Sequence, residues 1–107
     1  MVDKGQIMIR HKFNAKITLR DGLKFRSVKE ANYYDRLKIE QKSGHVLFFI
    51  RQPKFDLPGG VTYSADFLVF YSDGTAEFID VKGKKTKGYI RNKKIVEALY
   101  PIKIIEK

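Results

Sequence analysis

Cysteine is absent from the 107-residue sequence, which excludes disulfides and thiolate metal sites. Long apolar runs are missing too: no stretch approaches the length of a membrane span, and the N-terminus has no hydrophobic signal region. We therefore expect a cytoplasmic protein that does not span a membrane. Acidic residues are scarce, because 12 Asp and Glu face 22 Lys and Arg and leave a net charge of +10.

The sequence does contain enough apolar surface for one core. Hydrophobic residues make up 43% of the chain and aromatic residues 13%, so the composition favours a folded chain over a disordered one. This length predicts a single domain over residues 1–107. Within it, residues 1–26 are predicted to form a basic β-rich arm and residues 27–107 the core.

The positive charge is clustered as well as large. Residues 82–94 contain no acidic residue and seven basic ones: Lys82, Lys84, Lys85, Lys87, Arg91, Lys93 and Lys94. Excess positive charge favours a polyanionic partner such as nucleic acid, through phosphate contacts and counterion release. A protein that is basic without such a partner is the alternative. A membrane surface fits less well, because no predicted helix has the bulky apolar face that interfacial anchoring needs.

Local patterns predict an N-terminal hairpin and then a helix. Asp21-Gly22 is a hairpin turn signal between two short β-type segments, 17–19 and 23–25. The segment Ser27-Val28-Lys29-Glu30 matches a capping box, so a helix is predicted to begin there, and Gly44 would end it. Further elements complete the order α-β-β-β-α-β: strands at 46–50, 61–71, 76–82 and 102–105, and a second helix at 89–100. The continuous apolar run 46–50 is typical of a strand covered on both faces.

The turn between the second and third core strands sets the relation of two acidic residues. If Ser72-Asp73-Gly74 forms a three-residue loop, Tyr71 pairs with Thr75 and Asp66 lies opposite Asp80. A two-residue Asp73-Gly74 loop would instead place the two aspartates on opposite faces.

In the three-residue register, Asp66, Asp80 and Lys82 share one face, because side chains alternate along a strand. Opposed carboxylates, with Cβ atoms about 4.5–5.5 Å apart, destabilise a sheet. A divalent cation such as Mg²⁺, which binds one or two carboxylates and keeps several waters, would offset this repulsion. The alternative is that both acids pair with nearby lysines.

This set of residues resembles the PD-(D/E)XK nuclease superfamily. Asp66, followed after thirteen residues by Asp80-Val81-Lys82, matches its D-x-K signature, and Glu30 matches its upstream helical glutamate. The signature proline is replaced by Ala65. Four segments resemble more closely a phage-borne family of small PD-(D/E)XK proteins, which are similar to Holliday junction resolvases. These segments are Lys24–Ala31, Arg51–Pro53, Tyr63–Phe67 and Asp80–Gly83.

The resemblance implies a restriction-endonuclease-like α/β core with a mixed central sheet, and nuclease activity that depends on Mg²⁺ or Mn²⁺. Asp66 and Asp80 would be metal ligands, together with the Val81 carbonyl. Glu30 would complete the metal shell directly or through water, and Lys82 would orient or activate the attacking water. The implied substrate is branched DNA, which a resolvase cuts symmetrically as a homodimer. A phage-borne enzyme would act in the cytoplasm of a bacterial host.

Glu30 also has a purely structural interpretation. As the fourth residue of the capping box, its carboxylate would bond back to the Ser27 N–H and stabilise the helix start. Capping and metal binding are therefore both open for this residue. The isolated His11 and His45 lack metal-ligand spacing.

The residues expected to contact DNA lie mainly around the second helix. Cations in the loop 83–88 oppose the dipole of that helix, which makes sense if an anion binds there; the alternative is a solvated loop. Gln52 would line the cleft or only bond at a strand end, and Tyr63 would stack on bases or only pack in the core. The predicted DNA-binding residues are Arg26, Gln52, Lys84, Lys85, Lys87, Arg91, Lys93 and Lys94.

Two other functions are alternatives to a nuclease. One is a non-catalytic nucleic-acid-binding module with the same fold, and the other is a structural subunit of a phage or replication assembly. The set of Asp66, Asp80 and Lys82 favours the enzyme, because binding alone does not need paired acids in a basic cleft.

Overall fold

The computed structural model describes residues 9–10 and 16–107. His11 and part of the predicted arm lie outside these residues. In chain order the elements are β1 (Ile9–Arg10), β2 (Lys16–Arg20), β3 (Leu23–Phe25), α1 (Val28–Ser43), β4 (Val46–Arg51), β5 (Lys54–Leu57), β6 (Val61–Ser64), β7 (Phe67–Tyr71), β8 (Ala76–Asp80), α2 (Lys87–Leu99) and β9 (Ile104–Glu106). No helix of the described part of the chain is long and apolar enough to cross a membrane.

The predicted hairpin at the start of the chain is confirmed as β2 and β3, which pair antiparallel. Its turn residues Asp21 and Gly22 have φ values of 51° and 76°, which two-residue hairpin turns of the primed type require. Three side-chain bonds join the hairpin to α1, one of them from an Arg20 terminal nitrogen to the Asn32 side-chain oxygen at 3.2 Å. Tyr34 donates its hydroxyl to Asp21 at 2.8 Å, and Arg20 Nε lies 2.8 Å from Asp35.

Helix α1 begins and ends where the capping pattern predicts. The Ser27 hydroxyl accepts the Glu30 backbone N–H at 3.0 Å, and Gly44 closes the last turn with a φ of 89°. The buried face of the helix presents Glu30, Ala31, Tyr34 and Leu37. Three of these four are apolar or aromatic, so Glu30 is the exception on a face that otherwise belongs to the core.

The main sheet has the strand order β4-β7-β8-β9. The first three strands are antiparallel, and β9 returns through α2 to pair parallel with β8. The chain is therefore an α/β protein with a mixed sheet, as predicted. One core cluster, which includes Phe25, Leu37 and Phe67, contains side chains of α1. The second cluster, around Phe55, Val96 and Ile104, contains side chains of α2.

The prediction of one strand over 61–71 is wrong. The predicted strand is interrupted at Ala65 and Asp66. The residues before this interruption form β6, which pairs with β5 in a separate two-stranded sheet. The Ala65 N–H donates to the Pro53 carbonyl at 3.1 Å, whereas the Asp66 N–H donates to the Ile79 carbonyl at 3.0 Å. Neighbouring peptides thus join different strands. Asp66 therefore precedes β7 instead of lying inside a long strand.

The prediction that β4 is covered on both faces is also wrong. It is one of the two edge strands of the sheet that the described residues form, and Leu47, Phe48 and Ile50 are 57%, 46% and 45% exposed. The Phe48 ring stacks on the Phe70 ring of β7, with centroids 4.4 Å apart. Helix α2 packs against β5 and β6, so it does not cover this part of the sheet.

Candidate functional site

The three-residue turn predicted between β7 and β8 is confirmed. The Tyr71 N–H donates to the Thr75 carbonyl at 2.8 Å, and Phe67 pairs with Ile79 further along the ladder. Continued by one residue, this register sets Asp66 opposite Asp80. The alternative two-residue loop is excluded.

Each of these two aspartates accepts hydrogen bonds from the opposite strand. Asp80 is fully buried, and its Oδ1 accepts the Asp66 backbone N–H at 2.9 Å. The Asp66 Oδ2 accepts the Val81 backbone N–H at 2.7 Å. Among the described residues, neither aspartate forms a salt bridge with a lysine. The structure therefore does not support the alternative that lysine pairing explains both acids.

The second oxygen of Asp80 is bound by a residue of the other sheet. The Tyr63 hydroxyl on β6 donates to Asp80 Oδ2. Burial, followed by the bond to Asp80, raises the pKa of Tyr63 far above its ordinary value, so the hydroxyl stays protonated and remains a donor. The sequence assigned Tyr63 only to base stacking or the core. Its partner lies seventeen residues away, which leaves no local pattern to indicate the bond.

Tyr63→Phe is expected to destabilise the fold, because Asp80 Oδ2 would lose its donor in a buried position. An unsatisfied buried group of this kind costs about 1–3 kcal/mol. Tyr100→Phe is the matched control, since its hydroxyl makes an exposed bond to the Asp56 carbonyl, and about 1 kcal/mol or less is expected there. Urea unfolding measures both variants; equal losses of unfolding free energy would contradict the buried bond to Asp80.

Glu30 and Asp66 line one cleft of about 310 Å³ at the end of the main sheet. Glu30 is only 4% exposed. The remaining lining residues are Arg26, Gln52, Lys54, Thr62, Ser64 and Ala65. The Ser27 hydroxyl accepts the Glu30 backbone N–H, whereas the backbone hydrogen bond that lowers the pKa of the Glu30 carboxylate comes from Arg26 and not from Ser27. The predicted residues Arg26 and Gln52 belong to the cleft, and Lys54 is a basic lining residue that the sequence analysis did not select.

The two carboxylates of this cleft have raised pKa values. Burial raises the pKa of Glu30 most, and the charge of Asp66 raises it further. Burial also raises the pKa of Asp66; the bond from Val81 N–H opposes the shift and the charge of Asp80 adds to it. The folded protein therefore holds anionic groups close together at a free-energy cost, which a cation in the cleft would reduce.

Lys82 follows Asp80 by two residues but is not among the lining residues of the cleft that Glu30 and Asp66 share, and its side chain lies against an aromatic pair. Its ammonium is 5.0 Å from the centroid of the Tyr89 ring, a cation–π distance. The Tyr89 ring stacks on Tyr63, with centroids 6.3 Å apart, and its hydroxyl donates to Glu106 at 2.8 Å. Tyr63 and Tyr89 thus connect the surroundings of Asp80 with those of Lys82. No motif in the sequence singles out Tyr89, whose position was predicted only to be part of a helix.

The basic residues near α2 are partly neutralised. Lys85 lies 2.9 Å from Glu106, and Lys93 lies 3.3 Å from Glu97, one turn further along the helix. The helix begins at Lys87, two residues before the predicted start, because the Thr86 hydroxyl caps it. The other predicted DNA-binding residues of this region are exposed: Lys84, Lys87, Arg91 and Lys94.

The donor set fits a hard divalent cation at two carboxylates. Mg²⁺ commonly uses one or two carboxylates and keeps several waters, and Glu30 and Asp66 provide such a pair in one cleft. Asp80 differs, because both its oxygens accept bonds from the protein. Within residues 9–10 and 16–107, no group of three or more His, Cys, Asp or Glu side chains is placed to hold a metal ion.

A comparison with curated proteins finds no match to this chain. A family model described as "Protein of unknown function (DUF1064)" matches residues 10–105. Because this match covers most of the sequence, the chain belongs to the DUF1064 family.

Proposed function

We propose that the chain is a metal-dependent endonuclease that hydrolyses DNA phosphodiester bonds. The observation that carries the proposal is the cleft shared by the buried Glu30 and the half-buried Asp66, with Arg26 and Lys54 in the same lining. Carboxylates in a basic cleft would weaken the binding of a polyanion if binding were the only task. They are explained if a cation joins them to the phosphate.

In this proposal Glu30 and Asp66 hold Mg²⁺ or Mn²⁺, with Asp80 and the Val81 carbonyl as the further ligands expected from the sequence. The ion, when bound, supplies Lewis acidity at the phosphate and lowers the pKa of its water. Lys82 orients the attacking water and stabilises the negative charge that builds on the phosphate. The bonds between Asp66, Asp80 and Val81 hold these groups in a fixed arrangement.

Branched DNA is the substrate that we favour. The support is the resemblance to junction resolvases. Recognition of branched DNA by shape and backbone contacts suits the basic residues that line the cleft. Symmetric cleavage of a junction calls for a homodimer. A phage-borne protein of this kind would act in the cytoplasm of the bacterial host.

One observation favours a non-catalytic nucleic-acid-binding module instead. Both oxygens of Asp80 accept hydrogen bonds from the protein, one of them from the buried Tyr63 hydroxyl. A carboxylate engaged in this way is a poorer ligand for a cation. This module would bind DNA through the same basic residues but would not cut it.

The deciding experiment is cleavage of a four-way junction, a matched linear duplex and a single strand, each with Mg²⁺, Mn²⁺ or EDTA. We expect metal-dependent cutting of the junction by the wild type and none by Glu30→Gln. This variant keeps the backbone N–H that the Ser27 cap uses, so a loss of cutting reports the carboxylate. Cutting of all three substrates would refute selectivity for junctions and support nuclease activity in general. Tight binding without cutting in either metal would favour the binding module.

A further inference from the structure

A second groove adjoins the carboxylate cleft, between β3 and the end of β4. Its volume is about 490 Å³, and its lining includes Leu23, Lys24, Phe25, Arg26, Arg51 and Gln52. Arg26 and Gln52 also line the carboxylate cleft, so the two depressions meet at these residues. Every charged residue of the groove lining is basic. An anionic chain could therefore continue from the cleft into the groove.

Arg51 is held in the groove by few protein bonds. Its guanidinium lies over the Phe25 ring at 4.3 Å, and one terminal nitrogen donates to the Lys24 carbonyl at 2.8 Å. Its buried Nε has no hydrogen-bond partner among the described residues. A guanidinium carries five N–H donors in a fork that matches phosphate oxygens. The arrangement orients Arg51 while leaving donors for a phosphate.

Gln52 joins the groove to the backbone of the candidate site. Its φ of 56° is in the left-handed region, which is uncommon for a residue other than glycine. In this conformation the Gln52 N–H donates to the Asp66 carbonyl at 2.9 Å. This bond joins the groove wall at Gln52 to the backbone of Asp66, which lines the carboxylate cleft.

The strand order places basic residues on both sides of the carboxylates. At this end of the sheet, Arg51 ends β4, Asp66 directly precedes β7, and Lys82 follows the end of β8 by two residues. Because β4, β7 and β8 are neighbours in that order, Arg51 and Lys82 come from the strands on either side of Asp66. Phe25 is buried, so its ring supports Arg51 and does not offer a surface for base stacking. The groove is therefore suited to the sugar-phosphate backbone and not to bases.

We propose that the groove between β3 and β4 binds the DNA phosphodiester backbone on the β4 side of the candidate cleavage site, through Lys24 and Arg51. This inference rests on the proposed function and extends it. A DNA strand bound in the groove would pass over the carboxylates and contact basic residues on both sides of them. These contacts with the flanking phosphates would position the scissile phosphate.

The test is DNA binding in EDTA, measured by fluorescence anisotropy over a range of salt concentrations. Lys24→Ala is the main variant, because Lys24 is exposed and its loss leaves the core unchanged. Arg51→Gln is the second, and Lys38→Ala on the exposed face of α1 is the control with the same change of charge. Loss of one phosphate contact makes the negative slope of log K against log[salt] less steep by about one. At about 0.1 M salt this corresponds to roughly eightfold weaker binding.

The proposal is overturned if both groove variants keep the wild-type slope, or if they weaken binding no more than Lys38→Ala does. Its failure is separable from that of the nuclease proposal, because the assay needs neither metal nor cleavage. If binding depends on the groove residues but no metal supports cleavage, the nuclease proposal is refuted and the groove proposal stands. If the protein cleaves DNA but binding does not depend on the groove residues, the groove proposal is refuted and the nuclease proposal stands.

Discussion

Asp66→Asn is expected to abolish metal-dependent cleavage and, in the same variant, to raise thermal stability. The asparagine oxygen can still accept the Val81 N–H, but the negative charge that the cation needs is lost. We expect activity to fall by roughly 10²–10³-fold, the loss found when one group that stabilises the transition state is removed. Stability should rise because burial makes the charged carboxylate costly. A gain of about 1 kcal/mol would raise the melting temperature by ~4–8 °C.

The pH dependence of this stability gain has a definite sign. Burial raises the pKa of Asp66 above its unfolded value of 3.8, so the cost of the charge is present above the folded pKa and vanishes below the unfolded one. The difference in melting temperature between Asp66→Asn and wild type should therefore be largest near neutral pH and shrink on acidification. Added Mg²⁺ should stabilise the wild type, which binds the ion when folded, but not the variant.

Thermal melts of both proteins across this pH range, without and with Mg²⁺, make the measurement. Asp56→Asn is the isosteric control, because Asp56 is exposed on β5 and should change neither activity nor the response to Mg²⁺. If Asp66→Asn melts at the wild-type temperature and still cleaves DNA, two claims are refuted: that the charged Asp66 carboxylate destabilises the fold, and that it is a metal ligand.

Lys82→Met is expected to lower the cleavage rate by roughly 10²–10⁴-fold, the range found for a positioned acid–base group. Methionine keeps most of the side-chain volume against the Tyr89 ring but removes the ammonium. Unlike Asp66→Asn, this variant should keep the wild-type rise in melting temperature on addition of Mg²⁺. Single-turnover cleavage, with the protein in excess over the DNA and above the dissociation constant, together with thermal melts, separates these effects.

Lys38→Met is the charge-matched control for this variant, since Lys38 is exposed on α1. A Lys82→Met protein that cuts at the wild-type rate would contradict a role for the ammonium in the chemical step. Loss of the response to Mg²⁺ would instead show that Lys82 supports the carboxylate cleft.

The features that the sequence could predict are those with local causes. The loop Ser72-Asp73-Gly74 fixed the register of β7 and β8 because loop length and a left-handed glycine decide the turn. Ser27 identified the start of α1 for a similar reason. The arrangement of Asp66 opposite Asp80 followed from that turn alone.

The features that could not be predicted depend on distant partners. Tyr63 reaches Asp80 from a strand of the other sheet, and no spacing in the sequence encodes that approach. The apolar run of β4 indicated burial, yet whether a neighbour covers a strand depends on where α2 packs after the chain has folded. The break after Ser64 was hidden because both sides of it have strand-like composition.

The open face of β4 has a consequence for the colloidal behaviour of the protein. Its exposed Leu47, Phe48 and Ile50 favour contact between molecules. Among the described residues, β4 also has no strand on its outer side, which leaves backbone groups at that edge without a strand partner. The net charge of +10 keeps molecules apart in dilute buffer. Concentrated salt, which is used to strip nucleic acid from basic proteins, shortens the range of that repulsion to a few ångströms. The high-salt wash that removes nucleic acid therefore also screens the charge repulsion that prevents precipitation.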